Sequence, residues 1–246
     1  MLNEEKSRKA GKKLLLVLTS VVLLFSGCDV INKLPQTTGL GGITEAEAGQ
    51  GIKEALSQGV TNAVLKLNKE DGFFKDAIYK VLLPPDAKKV ENTLRSLGFS
   101  SLVDKAILQI NRGAEDAAGF AKPIFADAIK SMTLQDAIGL VKNGDTSATH
   151  FFREKTTEKL IAAFLPVIKA SLDKVDATKY YGDVINKYNN FPTTIKKINP
   201  DLASFVTGKA TDALFAEVAI EEKNIRTNFA ARSTDILKKV FGQKWN

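Results

Sequence analysis

The stretch Thr44–Leu67, TEAEAGQGIKEALSQGVTNAVLKL, opens with a threonine three residues ahead of Glu47 and then places Ile52, Leu56, Ala63, Val64 and Leu67 at intervals of three, four and seven. Threonine and glutamate at that spacing form a capping box, in which each side chain accepts from an amide that a helix start leaves unpaired. The apolar interval is that of one helix face. The same grammar recurs downstream. Gly72-Phe73-Phe74 interrupts it, and a shorter apolar stretch through Ile78, Val81 and Leu82 runs into Pro84-Pro85. Proline is well placed at a first helical position, so a helix is predicted from Pro85 to Leu97 with Gly98 as its stop. Ser101 with Asp104 offers the next cap, followed by Val103, Ile107, Ile110 and an alanine-rich run to Ala118; Pro123 restarts a helix with Ile124, Phe125, Ala128 and Ile129.

Thr133 with Asp136 caps a short helix ending at Asn143-Gly144, and Asp145 or Thr146 opens the longest one, with a stripe of Phe152, Leu160, Phe164, Val167, Ile168, Leu172 and Val175. Pro166 lies inside that stripe and predicts a kink or break. Tyr180 to Tyr188 reads as helix, Asn189 to Pro200 as loop, Leu202 to Asn228 as one or two helices, and Ile236, Leu237, Val240 and Phe241 as a last one. Nowhere is there sustained apolar–polar alternation. The expected class is all-α, a single multi-helix globular domain of about eight to ten helices.

Upstream, the chain changes character. Lys6, Arg8, Lys9, Lys12 and Lys13 precede an apolar run from Leu14 to Phe25, which ends at Leu24-Phe25-Ser26-Gly27-Cys28. About 12 apolar residues are too few to span a bilayer, which takes about 20, but fit the apolar core of an export signal. The small residues before the only cysteine resemble a bacterial lipobox, with Phe25 where leucine is usual. Residues 1–27 are therefore expected to be a cleaved lipoprotein signal peptide, and Cys28 the site of acylation. Two or more acyl chains would anchor the chain stably where one is marginal. Residues 28–43 carry Pro, Thr and Gly without an apolar period, and read as a flexible tether whose fourteen residues after the cysteine reach at most about 50 Å. Gly39-Leu40-Gly41-Gly42 lacks the Lys-Ser/Thr of a phosphate loop. Residues 44–246 are left for the helical domain, enough for one good-sized core.

The formal net charge of +7 comes from 35 Lys and Arg against 28 acids. Removing residues 1–27, with five bases and two acids, leaves an excess of four, spread over pairs such as Lys88-Lys89, Lys196-Lys197 and Lys238-Lys239. A dispersed excess is a solvated surface; nucleic-acid binding would call for a basic block or an aromatic-basic motif.

Four stretches together resemble the bacterial domain of unknown function 4197 family. They are Gly51 to Gly59; Leu94-Arg95-Ser96-Leu97-Gly98; Ala128 to Thr133 with Asp136-Ala137, Ala148-Thr149 and Phe152-Arg153; and Glu221-Glu222-Lys223, Ile225-Arg226 with Leu237 to Phe241. The resemblance covers nearly the whole predicted domain. It implies an exported helical protein, commonly with a lipoprotein signal, and no assigned activity.

Chemistry has few carriers. His150 is the single histidine and Cys28 the single cysteine, whereas a zinc site takes three or four ligands and a Ser-His-Asp triad needs that histidine beside both partners. Gly208-Lys209-Ala210-Thr211 echoes the end of a Walker motif, but Ala203 replaces its leading glycine; a cap or turn is the expected reading. Among acids, Glu217, Glu221 and Glu222 lie on neighbouring turns, with Arg226 four residues beyond Glu222. Asp116 lies four beyond Arg112, and Lys130 three beyond Asp127, spacings typical of structural ion pairs. Asn111, Arg112, Glu115 and Asp127 form the candidate polar cluster, set among the small residues Gly113, Ala114, Ala117 and Ala118 that let helices approach closely.

The expected function is thus a lipid-anchored envelope protein facing the periplasm or cell surface, a non-enzymatic interaction or envelope-maintenance module held to the membrane through Cys28, with an envelope protein as its possible partner. No catalytic residue, cofactor, metal or nucleic acid is expected. Two alternatives stand beside it. One is a carrier of a small apolar ligand in an interhelical cavity, suggested by Phe151, Phe152 and Phe164; the other is a hydrolase using paired carboxylates.

Overall fold

The computed structural model describes residues 43–190, 192 and 194–243. The predicted signal peptide, the tether up to residue 42 and Cys28 lie outside the described residues. Within them the chain forms nine α-helices, two 3-10 turns and no strand: α1 Glu45–Leu67, a 3-10 turn Pro85–Ala87, α2 Lys88–Ser96, α3 Ser100–Ala118, α4 Ala121–Ser131, α5 Leu134–Lys142, α6 Ser147–Asp173, α7 Ala177–Asn189, α8 Leu202–Thr227, a 3-10 turn Phe229–Ala231 and α9 Asp235–Phe241. The all-α class holds.

The two longest helices, α6 and α8, pack on each other and organise the rest. Helix α3 lies against α6, α1 against α8, and α4 against both α1 and α6; α5 and α9 pack on α1, α7 on α6, and α2 on α3. Five phenylalanines, Phe73, Phe125, Phe152, Phe164 and Phe215, are fully buried. Phe125 meets Phe152 edge-on at 4.9 Å and Phe215 at 6.1 Å, in the tilted geometry that aromatic quadrupoles favour. Phe152 and Phe164 are therefore core.

Small residues set the closest crossings. A Cβ on Gly113 would stand 3.0 Å from Ser171 Cβ and 3.3 Å from Ile168 Cα, so α3 and α6 meet nearly backbone to backbone.

The local signals behave unequally. Both capping boxes form: Thr44 Oγ1 accepts from Glu47 N–H at 3.2 Å, and Thr133 Oγ1 from Asp136 N–H at 3.1 Å. The predicted Ser101–Asp104 cap does not. Helix α3 begins two residues earlier than that cap would place it, with Phe99 at the cap position and no side-chain acceptor, and Asp104 turns to Arg95 of α2 at 2.9 Å. Pro166 does not break α6, which runs unbroken from Ser147 to Asp173. Pro166 and Ala162, whose carbonyl loses its helical donor, both lie on the exposed side; water can take that carbonyl, and the break is avoided. Leu202 to Thr227 is one continuous helix, and Gly208 to Thr211 lies in its interior rather than at a cap or turn, Thr211 Oγ1 donating back to Thr207 O at 2.9 Å.

Candidate functional site

Three of the four polar-cluster residues, all on α3, hold one and the same segment of chain. Asn111 is fully buried: Oδ1 accepts from Val81 N–H at 2.8 Å while Nδ2 donates to Val81 O at 2.8 Å and Ile107 O at 2.7 Å. Glu115, also buried, accepts from the amides of Phe73 at 3.1 Å and Phe74 at 3.0 Å through Oε1 and from Arg112 Nη1 at 2.6 Å through Oε2. Arg112 reaches on to Asp71 at 2.8 Å. The Glu115 hydrogen bond, then that of Asp71, holds the Arg112 guanidinium above its ordinary pKa. Together these side chains fasten the connection between α1 and α2, residues 68–84, onto α3. The expected Arg112–Asp116 pair is replaced by Arg112–Glu115, and Asp116 is exposed. Asp127 does not belong to the cluster: it is exposed on α4, and the expected ion pair with Lys130 is not formed, since both point to water.

Of the later acids, Glu217 and Glu222 are buried. Glu217 Oε2 accepts from Lys66 Nζ and from Tyr79 Oη, each at 2.7 Å, joining α8 to α1 and to the α1–α2 connection. Burial, reinforced by that hydrogen bond, pushes the Tyr79 phenol well up. Glu222 accepts from the amides of Ala148 at 3.1 Å and Thr149 at 3.0 Å, from Thr149 Oγ1 at 2.8 Å, and from Arg226 Nη2 at 2.9 Å. Arg226 Nη2 also donates to Leu140 O at 2.9 Å and Ser147 Oγ at 3.0 Å. This answers a local deficiency: Thr146, at the cap of α6, has φ of 72° and supplies no side-chain acceptor. A carboxylate from α8 does so instead, at the positive end of the helix dipole. His150 is exposed beside Arg153 and Glu154 on an open groove. No group of three or more His, Cys, Asp or Glu side chains among the described residues could hold a metal ion, and no helix among them is long and apolar enough to cross a membrane.

An apolar cavity lies elsewhere. Helices α2, α3 and α7 enclose a cavity of about 300 Å³. Val90 and Leu94 of α2 roof it; Phe99, at the cap of α3, with Leu102, Val103 and Ala106 of that helix forms one wall, and Ala177, Tyr180, Tyr181 and Val184 of α7 the other. The size is at the lower end of small-molecule sites, and the lining is of the same apolar kind. Its roof is unusual, since Glu91 is the one buried residue of α2. Val90 and Leu94 are only half-buried. An amphipathic helix normally sinks its apolar stripe into the core; here that stripe faces the cavity.

Local chemistry explains the geometry. Leu94 O accepts from Phe99 N–H at 2.9 Å and Arg95 O from Gly98 N–H at 3.1 Å, a Schellman closure made possible by Gly98 at φ of 90°. That turn sends the chain from the roof into the wall and leaves Leu97 and Phe99 65% and 50% exposed beside the cavity. Glu91, the carboxylate of the lining, is held by Lys88 Nζ and Arg95 Nε, both at 3.0 Å. Burial alone would raise its pKa, but hydrogen bonds from these two cations outweigh it and keep the carboxyl below the ordinary glutamate range. The hydroxyl of Tyr181 donates to Asn199 O at 3.3 Å, and burial pushes it up to about 12. The void was missed in the sequence, where its three walls read only as separate amphipathic faces.

Residues 42–242 match the family described as Protein of unknown function (DUF4197). No curated protein and no solved structure matches the chain.

Proposed function

This chain belongs to the DUF4197 family of proteins of unknown function, and we propose that it is an exported, lipid-anchored protein that holds an apolar ligand in the pocket between α2, α3 and α7. The pocket carries the reading. It is a cavity of about 300 Å³ walled by aliphatic and aromatic side chains, and burying apolar surface is the one strong source of affinity that such a lining offers. The anchor is supported by the basic start, the short apolar run and the small residues before Cys28. A tether that ends before Ile43, which is buried in the domain, would place the domain within reach of a bilayer. The interaction role expected from the sequence takes a narrower form here, that of a holder of a small apolar molecule.

Hydrolysis by paired carboxylates is less well supported. Glu115, Glu217 and Glu222 already accept from backbone amides, hydroxyls or cations, which is the pattern of acids that hold helices together.

Two measurements test the proposal. Metabolic labelling with an alkyne fatty acid should tag the wild type and lose the tag in Cys28→Ser. Native mass spectrometry of the full-length protein ejected from lipid nanodiscs should show a non-covalent apolar adduct that Ala106→Trp, which fills the cavity, removes. Equal labelling of both proteins would refute the anchor, and an adduct unchanged by the filled cavity would refute the pocket.

A further inference from the structure

We infer that the ligand of this pocket is a single acyl chain with an anionic head, received by Arg95 at the edge where α2 meets α3. The inference rests on the pocket reading above and adds the chemistry of the ligand. Arg95 bridges the two helices: Nε donates to Glu91 in the lining at 3.0 Å, and Nη1 forms an ion pair with Asp104 on α3 at 2.9 Å. A guanidinium has five N–H donors in a planar fork suited to carboxylate or phosphate. Two of the five are used, and Nη2 has no partner among the described residues.

The two carboxylates on Arg95 differ in a decisive way. The Glu91 side chain is 9% exposed and is shared with Lys88, so it is a fixed part of the wall. That of Asp104 is 66% exposed and has Arg95 as its partner. An arriving anion can add to Nη2 or take the place of Asp104 while no buried charge is left alone. A cationic head would meet Arg95 and Lys88 and be repelled; a neutral head would forgo the charge-assisted bond. The lining below that edge, Leu94, Leu102 and Ala106 among others, is mainly hydrocarbon, with Glu91 and the hydroxyls of Tyr180 and Tyr181 as its polar groups. At about 30 Å³ for a water-sized group, the cavity accommodates roughly ten methylenes.

The test uses isolated membranes carrying the full-length chain, labelled with a diazirine-bearing decanoic acid or the matching decanol, and peptide mapping of the label. Both probes should mark peptides containing Leu102–Ala106 and Tyr180–Val184, the acid about three- to fivefold more than the alcohol. Asp104→Asn, an exposed change that removes the competing carboxylate, should raise acid labelling by a similar factor and leave the alcohol unchanged. Arg95→Gln should bring the acid down to the alcohol. Misfolding cannot produce the gain in Asp104→Asn.

Competition by unlabelled decanoate identifies a free acid as the source, and competition by phosphatidylglycerol vesicles alone identifies an anionic lipid that places one of its chains in the cavity. Retention of label against both overturns the inference. Equal labelling by acid and alcohol, unmoved by Asp104→Asn, overturns the head and leaves the pocket standing. Absence of label from these peptides with either probe overturns both.

Discussion

Asn111 does for Val81 what a neighbouring strand would do: its Oδ1 accepts from the Val81 amide and its Nδ2 donates to the Val81 carbonyl, both at 2.8 Å. One side chain thus satisfies both backbone groups of a buried residue in a connection without regular structure. Truncation leaves both unpaired, with the full penalty of buried polar groups. Asn111→Ala should cost about 2 to 4 kcal/mol in urea unfolding and speed hydrogen exchange at the Val81 amide above all. Asp127→Ala, on the exposed face of α4, should stay within about 0.5 kcal/mol. Equal losses at the two positions would contradict this account.

Glu222 and Arg226 present a similar contrast. Replacing Glu222 by alanine strips the acceptor from two amides and a hydroxyl and leaves Arg226 half-enclosed without its carboxylate, a change expected to cost about 3 to 5 kcal/mol. Glu222→Gln keeps an acceptor oxygen and should cost less than half of that. The place to look besides the unfolding midpoint is the first turn of α6, where amide exchange should rise in the alanine variant and only slightly in the glutamine one.

Two glycines should respond to alanine with opposite signs. At Gly113 the new methyl meets Ser171 Cβ at 3.0 Å and the Ile168 backbone at 3.3 Å, neither of which can retreat without moving α6. At Gly49 it meets the end of the Leu134 side chain, which is 38% exposed and can swing away. With alanine favoured over glycine by about 1 kcal/mol in a helix interior, Gly49→Ala should be neutral or stabilising, while Gly113→Ala should lose about 1 to 3 kcal/mol to crowding. Thermal midpoints of the two variants decide it.

Acid should act on the helix starts. The hydroxyl and then the amide of Ser204 hold the Asp201 carboxyl below its usual 3.8, and those of Thr133 do the same for Asp136. A depressed carboxylate contributes stability that is complete above the unfolded value and lost as pH falls through the folded one. Unfolding free energy should therefore decline below about pH 4. Asp201→Asn, which can still cap but does not titrate, should show a shallower decline between pH 4 and 2 than the wild type in denaturant titrations at several pH values. An identical slope would assign the acid sensitivity to other groups.

How much of this was legible depends on how local the cause is. The caps at Thr44 and Thr133 were readable because both partners lie within one turn. Asp104 was misread as a cap partner because its actual partner, Arg95, sits on the preceding helix, and no periodicity reports that two helices bring these side chains together. The cluster at Asn111, Arg112 and Glu115 stood out as polar groups among small residues. Asp127 did not belong because α4 turns that position outward while its neighbours Phe125 and Ala128 go in. The cavity could not be read at all: Val90 and Leu94, Phe99 and Leu102, and Tyr181 and Val184 each keep helical spacing, and spacing is the same whether facing surfaces close on each other or stand apart.

The cap that Glu222 provides to α6 also has a temporal side. The carboxylate lies 73 positions after Thr149, so a chain emerging from its amino end presents the longest helix well before the group that completes its first turn. Until α8 arrives, those amides have only water. Maturation of this domain is therefore tied to delivery of its last third, and a protein truncated ahead of Glu222 should emerge with α6 frayed at its beginning however well the earlier helices have formed.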